Sequence, residues 1–106
     1  MTTYTKIACL TDIPVGKMLR VEYEPEPILL VNIDQHIYAL CDTCPHEDAS
    51  LASGALQGKY YVKCPLHGSR FDVRDGTVQE EPAEHDLTVY TIRIEGKDVL
   101  LGPPRR

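Results

Sequence analysis

The sequence predicts a small antiparallel β protein, built as a sandwich or a partly open barrel. Three observations carry this. Short runs alternate apolar and polar residues. The best is LTVYTIRIE (87–95), which puts Tyr90, Ile92 and Ile94 on one face and Thr91, Arg93 and Glu95 on the other. Tight-turn signals such as Asp75-Gly76 and Gly96-Lys97 separate the runs. No window sustains a 3.6-residue apolar period, so the class is β rather than α/β.

Element by element, YTKIACL (4–10) opens as a strand. KMLRVEY (17–23) and PILLVNI (27–33) follow, parted by the proline-flanked acidic turn EPEP. HIYALC (36–41) comes after the two-residue turn Asp34-Gln35, so 27–41 reads as a hairpin. KYYVKC (59–64), RFDVR (70–74) and TVQ (77–79) are short strands, and DVLL (98–101) pairs back after Gly96-Lys97. Two segments break the rhythm. Residues 42–58 form a loop of small and polar residues, with room for one helical turn near EDASLASG. Residues 64–69, CPLHGS, form a tight turn bounded by proline and glycine. The tail GPPRR is expected to fray.

A chain of 106 residues suits one domain, 1–106, with one modest core. The net charge of −5 argues against nucleic acid, which needs a basic face to meet phosphates. No apolar run approaches the ~18 residues of a membrane helix. The start MTTYTKIACLTDIP has no basic stretch leading into an apolar one, which points to the cytoplasm. There, Cys9, Cys41, Cys44 and Cys64 are not expected to form structural disulfides.

The stretch CDTCPHEDASL (41–51) carries two overlapping signals. Cys41 and Cys44 form C-x-x-C, the spacing of a redox dithiol or half a zinc site. Cys44 and His46 form C-x-H. The second loop supplies a partner for the latter, because Cys64 and His67 repeat the theme as C-P-L-H. Two thiols and two imidazoles in matched, proline-stiffened clusters suit two kinds of metal site. Structural zinc takes two Cys and two His tetrahedrally, but prefers two to four residues within a pair, and C-x-H is tight for that. In a Rieske-type [2Fe–2S] cluster two Cys hold one iron and two His the other, so each loop gives one ligand to each iron. Cys44 and Cys64 would then hold one iron, and His46 and His67 the other.

CPHEDASL, CPLHGSRFDVRDGTV and EEPAEHDLTVYTIRIE resemble the Rieske-type ferredoxins that serve bacterial aromatic ring-hydroxylating dioxygenases of the biphenyl, naphthalene and carbazole types. The resemblance covers nearly the whole chain and is most specific over 41–84. It implies an antiparallel β sandwich with a small cluster-binding subdomain at about 42–75, and it places Pro82 in a loop beside the cluster. It also implies a soluble one-electron carrier, not itself a catalyst, and the small size and carrier role point to a monomer. Such a carrier is fed by a flavin-containing ferredoxin reductase and passes electrons to a terminal Rieske oxygenase. The small Rieske-like subunit of an assimilatory nitrite reductase is the alternative. That family often lacks a complete ligand set, and all four ligands are present here.

The same resemblance bears on the redox potential. High-potential members of the wider family tie their two loops with a disulfide, and Ala49 and Leu66 stand at those positions here. A tyrosine hydroxyl donates to a cysteine sulfur in those members, and Phe71 stands at that position. A serine donates to a bridging sulfide, and Ser69 matches. Hydrogen-bond donors stabilise the negative charge added on reduction, so losing them lowers the potential. The expectation is about −150 to 0 mV, the low end of the Rieske range. Glu47, Asp48, Asp75, Glu80, Glu81, Glu84 and Asp86 flank the loops and would form an acidic docking rim if they share the cluster end. Cys41 and Cys9 read as small core residues, and His36 and His85 as exposed, ordinary histidines.

Overall fold

In the computed structural model, residues 3–24, 26–45, 49–66, 68–80 and 85–105 are described, Glu80 by its backbone alone. The strands are β1 (Thr5–Cys9), β2 (Met18–Val21), β3 (Ile28–Ile33), β4 (His36–Cys41), β5 (Ala55–Gln57), β6 (Tyr61–Lys63), β7 (Arg70–Asp72), β8 (Val78–Glu80), β9 (Val89–Glu95) and β10 (Asp98–Pro104). They form a six-stranded sheet in the order β1-β10-β9-β4-β3-β2 and a four-stranded sheet in the order β5-β6-β7-β8. Every pairing is antiparallel.

Strand β3 explains the layering. All six of its residues are buried, so its sequence is apolar on both faces rather than alternating, with Asn32 the one polar residue, donating Nδ2 to Ile13 O at 2.7 Å. Leu29, Val31 and Ile33 face one apolar cluster, shared with Leu40 and with Val62, Phe71 and Val73 of the smaller sheet and its following turn. Ile28 and Leu30 face a second, shared with Ile13, Ile37, Ala39, Tyr90, Val99 and Leu101. Burying a large aliphatic side chain is worth roughly 1.5–3 kcal/mol, so one strand feeds both cores. The β3–β4 hairpin turns through Asp34 and Gln35, at φ 54° and 72°. These left-handed values suit the tight turn that matches strand twist. Ile33 pairs with His36 and the register runs unbroken to Ile28 and Cys41.

The smaller sheet is joined to the larger at Gly76. Its N–H donates to Asp72 O at 2.7 Å, and its carbonyl accepts from Leu87 N–H at 2.7 Å, just before β9. Its φ is +78°, and a Cβ there would collide with the Leu87 carbonyl oxygen. Only glycine satisfies both the turn and the contact.

Four expectations need correction. Residues 42–58 are not all loop: after a 3₁₀ turn at Leu51–Ser53, Ala55–Gln57 adds β5 to the smaller sheet. The tail does not fray at GPP. Strand β10 runs to Pro104 by way of a bulge, and Arg105 N–H donates to Val89 O at 2.7 Å. Cys9 is half-buried at the end of β1 rather than in the core, because β1 is an edge strand. The apolar face of β9 fades outward. Tyr90 is buried, Ile92 is half-buried and Ile94 is 42% exposed, because the strand outruns the core beneath it.

Gly76→Ala is expected to cost about 2 kcal/mol or more, since it adds a steric clash to an unfavourable φ. A lowered thermal midpoint checks it; an unchanged midpoint would count against this account of the junction.

Candidate metal centre

The first loop leaves β4 at Asp42, and the second leaves β6 at Cys64. Each is closed by main-chain bonds around its cysteine. Cys44 N–H donates to Ala49 O at 2.8 Å, with a bridge between Thr43 and Ser50 below it. Cys64 N–H donates to Ser69 O at 2.8 Å, and Gly68 N–H to Cys64 O at 3.2 Å. The loops come together at Gly54, where an added Cβ would overlap the Lys63 carbonyl and press on Pro65 Cδ at 3.2 Å. Cys44 and Cys64 belong to the same apolar cluster and are 0% and 2% exposed. Pro45, Pro65 and Leu66 are exposed beside them. The structure therefore places Cys44 and Cys64, the two candidate sulfur ligands of the sequence reading, in one apolar cluster. His46 and His67 lie outside the described residues, as do Glu47, Asp48, Glu81, Pro82 and Glu84.

None of the four cysteines is in a disulfide. Two buried thiols in neighbouring closed turns are a donor set that suits an iron of a [2Fe–2S] cluster. Cys41 is a different kind of group. It is half-buried, its Sγ lies 3.8 Å from Thr43 O, and burial pushes its thiol up to about 11. It stays protonated at neutral pH, which makes it a poor nucleophile and a poor metal ligand. It packs against the core, as expected for a small hydrophobe.

Phe71 and Ser69 sit under this site. Phe71 is fully buried in the same cluster, and Ser69 is 1% exposed. His36 and His85 are exposed, and His36 packs its ring against Tyr38 at 4.5 Å. Among the anticipated acidic rim, Asp75 and Asp86 stand elsewhere. Asp75 Oδ1 accepts from the Thr77 N–H and hydroxyl in the β7–β8 turn, at the opposite end of that hairpin from the Cys64 loop. Asp86 Oδ1 accepts from Val78 N–H at 2.9 Å near that same turn. Glu80 pairs with Arg70 and so has its backbone at the loop end.

The residue that sequence reasoning missed is Asp42. Its side chain is 0% exposed. It accepts from Ser50 Oγ at 2.5 Å, Ala52 N–H at 2.8 Å and Arg20 Nη1 at 3.4 Å. Its own N–H donates to Pro27 O, and its carbonyl accepts from Leu51 N–H. One carboxylate thus ties both ends of the Cys44 loop to the larger sheet. The sequence held one signal, an acid at the exit of an apolar strand two residues before a candidate ligand cysteine. Its partners were not visible.

An all-antiparallel fold that buries two cysteines, each in a closed turn, in one apolar cluster suits an iron–sulfur domain. The Rieske [2Fe-2S] domain model matches residues 3–91, and the chain belongs to that family, which carries one [2Fe–2S] cluster. The biphenyl 2,3-dioxygenase ferredoxin component of Rhodococcus jostii (strain RHA1) is 41% identical over 97 residues, covering 92% of this chain and 90% of that protein. The ferredoxin of carbazole 1,9a-dioxygenase from Nocardioides aromaticivorans IC177 superposes with a TM-score of 0.88 at 26% identity, covering 95% of this chain and 98% of that one. A chain from a complex of reduced oxygenase and oxidized ferredoxin in carbazole 1,9a-dioxygenase gives 0.85 at 28% identity, covering 92% and 91%. These relatives are electron-carrier components, not catalysts. No helix among the described residues is long and apolar enough to cross a membrane.

Asp42→Ala would leave the Ser50 hydroxyl and the Ala52 N–H without their acceptor, while Arg20 keeps Glu22, at a cost of about 2 kcal/mol. The expected outcome is a lower thermal midpoint and faster bleaching of visible absorbance under a chelator. Bleaching at the parent rate would show that the loop does not depend on this carboxylate.

Proposed function

We propose that this chain is a cytoplasmic one-electron carrier of an aromatic-ring dioxygenase system. It takes electrons from a flavin-dependent ferredoxin reductase and delivers them to the terminal oxygenase. Cys44 and Cys64 hold one iron of the cluster, and His46 and His67 hold the other. The supporting observation is the burial of Cys44 and Cys64 in one apolar cluster, each in a turn closed on its own main chain. The relatives with the same fold are ferredoxin components of such systems, one of them taken from a complex with its oxygenase.

The cluster supplies a site that gains and loses one electron. The protein supplies rigidity and field. Two short closed turns resist rearrangement when the charge changes, which suits fast transfer. The apolar setting of the cysteines disfavours added negative charge, and Phe71 offers no hydroxyl to relieve it. The midpoint should therefore lie near the low end of the Rieske range, from about −150 to 0 mV.

Two measurements test this. The protein purified without chelators should be red-brown and, after dithionite reduction, give a rhombic EPR signal of low average g. Cys41→Ser should leave both unchanged. A colourless protein holding one zinc would overturn the reading. Phe71→Tyr should raise the midpoint by on the order of 40 mV. That follows from one hydrogen bond of about 1 kcal/mol at 59 mV per tenfold for one electron. A midpoint that stays put in a properly folded variant would remove Phe71 from the account of the potential.

A further inference from the structure

The six-stranded sheet has a seam. Strands β4 and β9 share only two rungs, Ala39 with Tyr90 and Leu40 with Val89. Both strands then continue, as His36–Tyr38 and Thr91–Glu95, without a rung between them. Main-chain directions follow from the bonds that do form. Cys41 N–H donates to Thr88 O, and Val89 O accepts from Arg105 N–H. Alternation then turns the main chain of Ile37 toward β9, and that of Ile92 and Ile94 toward β4. The ladders to β3 and β10 use the opposite edges. Among the described residues, no β-rung pairs these inward-facing groups across the seam.

A cavity of about 380 Å³ opens at the same place. Tyr4, His36, Tyr38, Ile94 and Arg105 are among its lining residues, and none of the lining residues is acidic. That is notable in a chain of net charge −5. Two nearby acids are paired with cations, Asp34 with Lys59 at 2.5 Å and Glu95 with Arg93 at 2.8 Å, and Glu26 accepts from the hydroxyl of the lining Tyr90. Arg105 donates Nη2 to Arg74 O at 2.7 Å and has no carboxylate partner among the described residues. The cleft therefore offers two facing main-chain edges, aromatic walls and a cation.

We propose that this cleft binds an extended, acidic segment of a partner protein by β-strand addition. The segment's main chain bonds Ile37 on one side and Ile92 and Ile94 on the other. A carboxylate on it meets Arg105. Main-chain pairing gives such a segment its affinity, and alternate side chains give it specificity. A second copy of this chain is a poor occupant. Its own acidic stretches, EYEPEPI (22–28) and EEPAEHD (80–86), carry prolines, which lack the N–H a ladder needs. The cleft also opens at the His36 end of β4, about 17 Å along the strand from Cys41. A segment seated there leaves the cysteine loops uncovered.

The test uses the iron-loaded protein and a fluorescein-labelled heptapeptide of alternating valine and glutamate, with a lysine-for-glutamate peptide as control. The expected result is a saturable rise in anisotropy with the glutamate peptide, accompanied by slowed hydrogen exchange over 36–39 and 91–95. Arg105→Glu should weaken that peptide about tenfold and shift preference to the lysine peptide. Ile94→Pro should weaken binding with the thermal midpoint preserved, because it removes an N–H that the β9–β10 ladder does not use. Absence of saturable binding, slowed exchange elsewhere, or full affinity in Arg105→Glu would each overturn the proposal. So would sedimentation showing self-association with 36–39 and 91–95 protected before any peptide is added, since the occupant would then be a second copy.

Discussion

Everything at the metal centre depends on one shared apolar core. Leu29, Val31 and Leu40 come from the larger sheet, and Val62 and Phe71 from the smaller one. Neither sheet could bury these faces alone. The smaller sheet has three-residue strands, and isolated ladders of that length are marginal in water. Packing against β3 and β4 is what fixes them. Cys44 and Cys64 are buried in that same cluster, one loop rooted in each sheet. The packing that stabilises the fold is thus also what sets the separation of the two thiols.

Polar groups then refine what the core positions. Asp42 binds the first loop to the larger sheet from inside. Asp72 does comparable work on the other side. It accepts from Arg74 N–H, Nε and Nη2 at 2.9, 3.0 and 2.7 Å, and the guanidinium lies 4.0 Å from the centroid of the Tyr60 ring. Each carboxylate is buried and multiply bonded, the condition under which a charge inside a protein is tolerated. Tyr90 adds a third tie, donating its hydroxyl to Glu26 at 2.5 Å. Burial, and then this carboxylate, push its ionisation above the ordinary tyrosine range. It stays a donor throughout the physiological range.

The ligand loops could be read from the chain because their chemistry is local: a thiol, a proline and an imidazole within four residues, twice. The Asp34-Gln35 hairpin was legible for the same reason, a short turn between two apolar runs. Features set by distant partners were not. Strand β5 is three residues of weak pattern that exist because Leu56 finds Val62. The extension of β10 through two prolines depends on β9 holding it across a bulge. Asp42 looked like a loop acid because Ser50, Ala52 and Arg20 are remote in sequence. The sulfurs' shared burial is described by the structure. The imidazoles rest on spacing and family likeness.

The burial of β3 on both faces has a cost during synthesis and refolding. Ile28–Ile33 is a six-residue, β-prone, uncharged segment, the kind that stacks into intermolecular sheets when left uncovered. Its neighbours act as guards. Pro25 and Pro27 precede it with no N–H to extend a ladder, and Asp34 ends it with a charge. Strands β2 and β4 flank it in sequence and in space, so local hairpins can cover both its edges before the distant strands β9 and β10 are made. Its faces are another matter. One of them waits for Val62 and Phe71, and these belong to the sheet that carries the second cysteine loop. Whatever loosens the smaller sheet leaves this segment less well sheltered, so the seating of that sheet bears on the solubility of the whole chain.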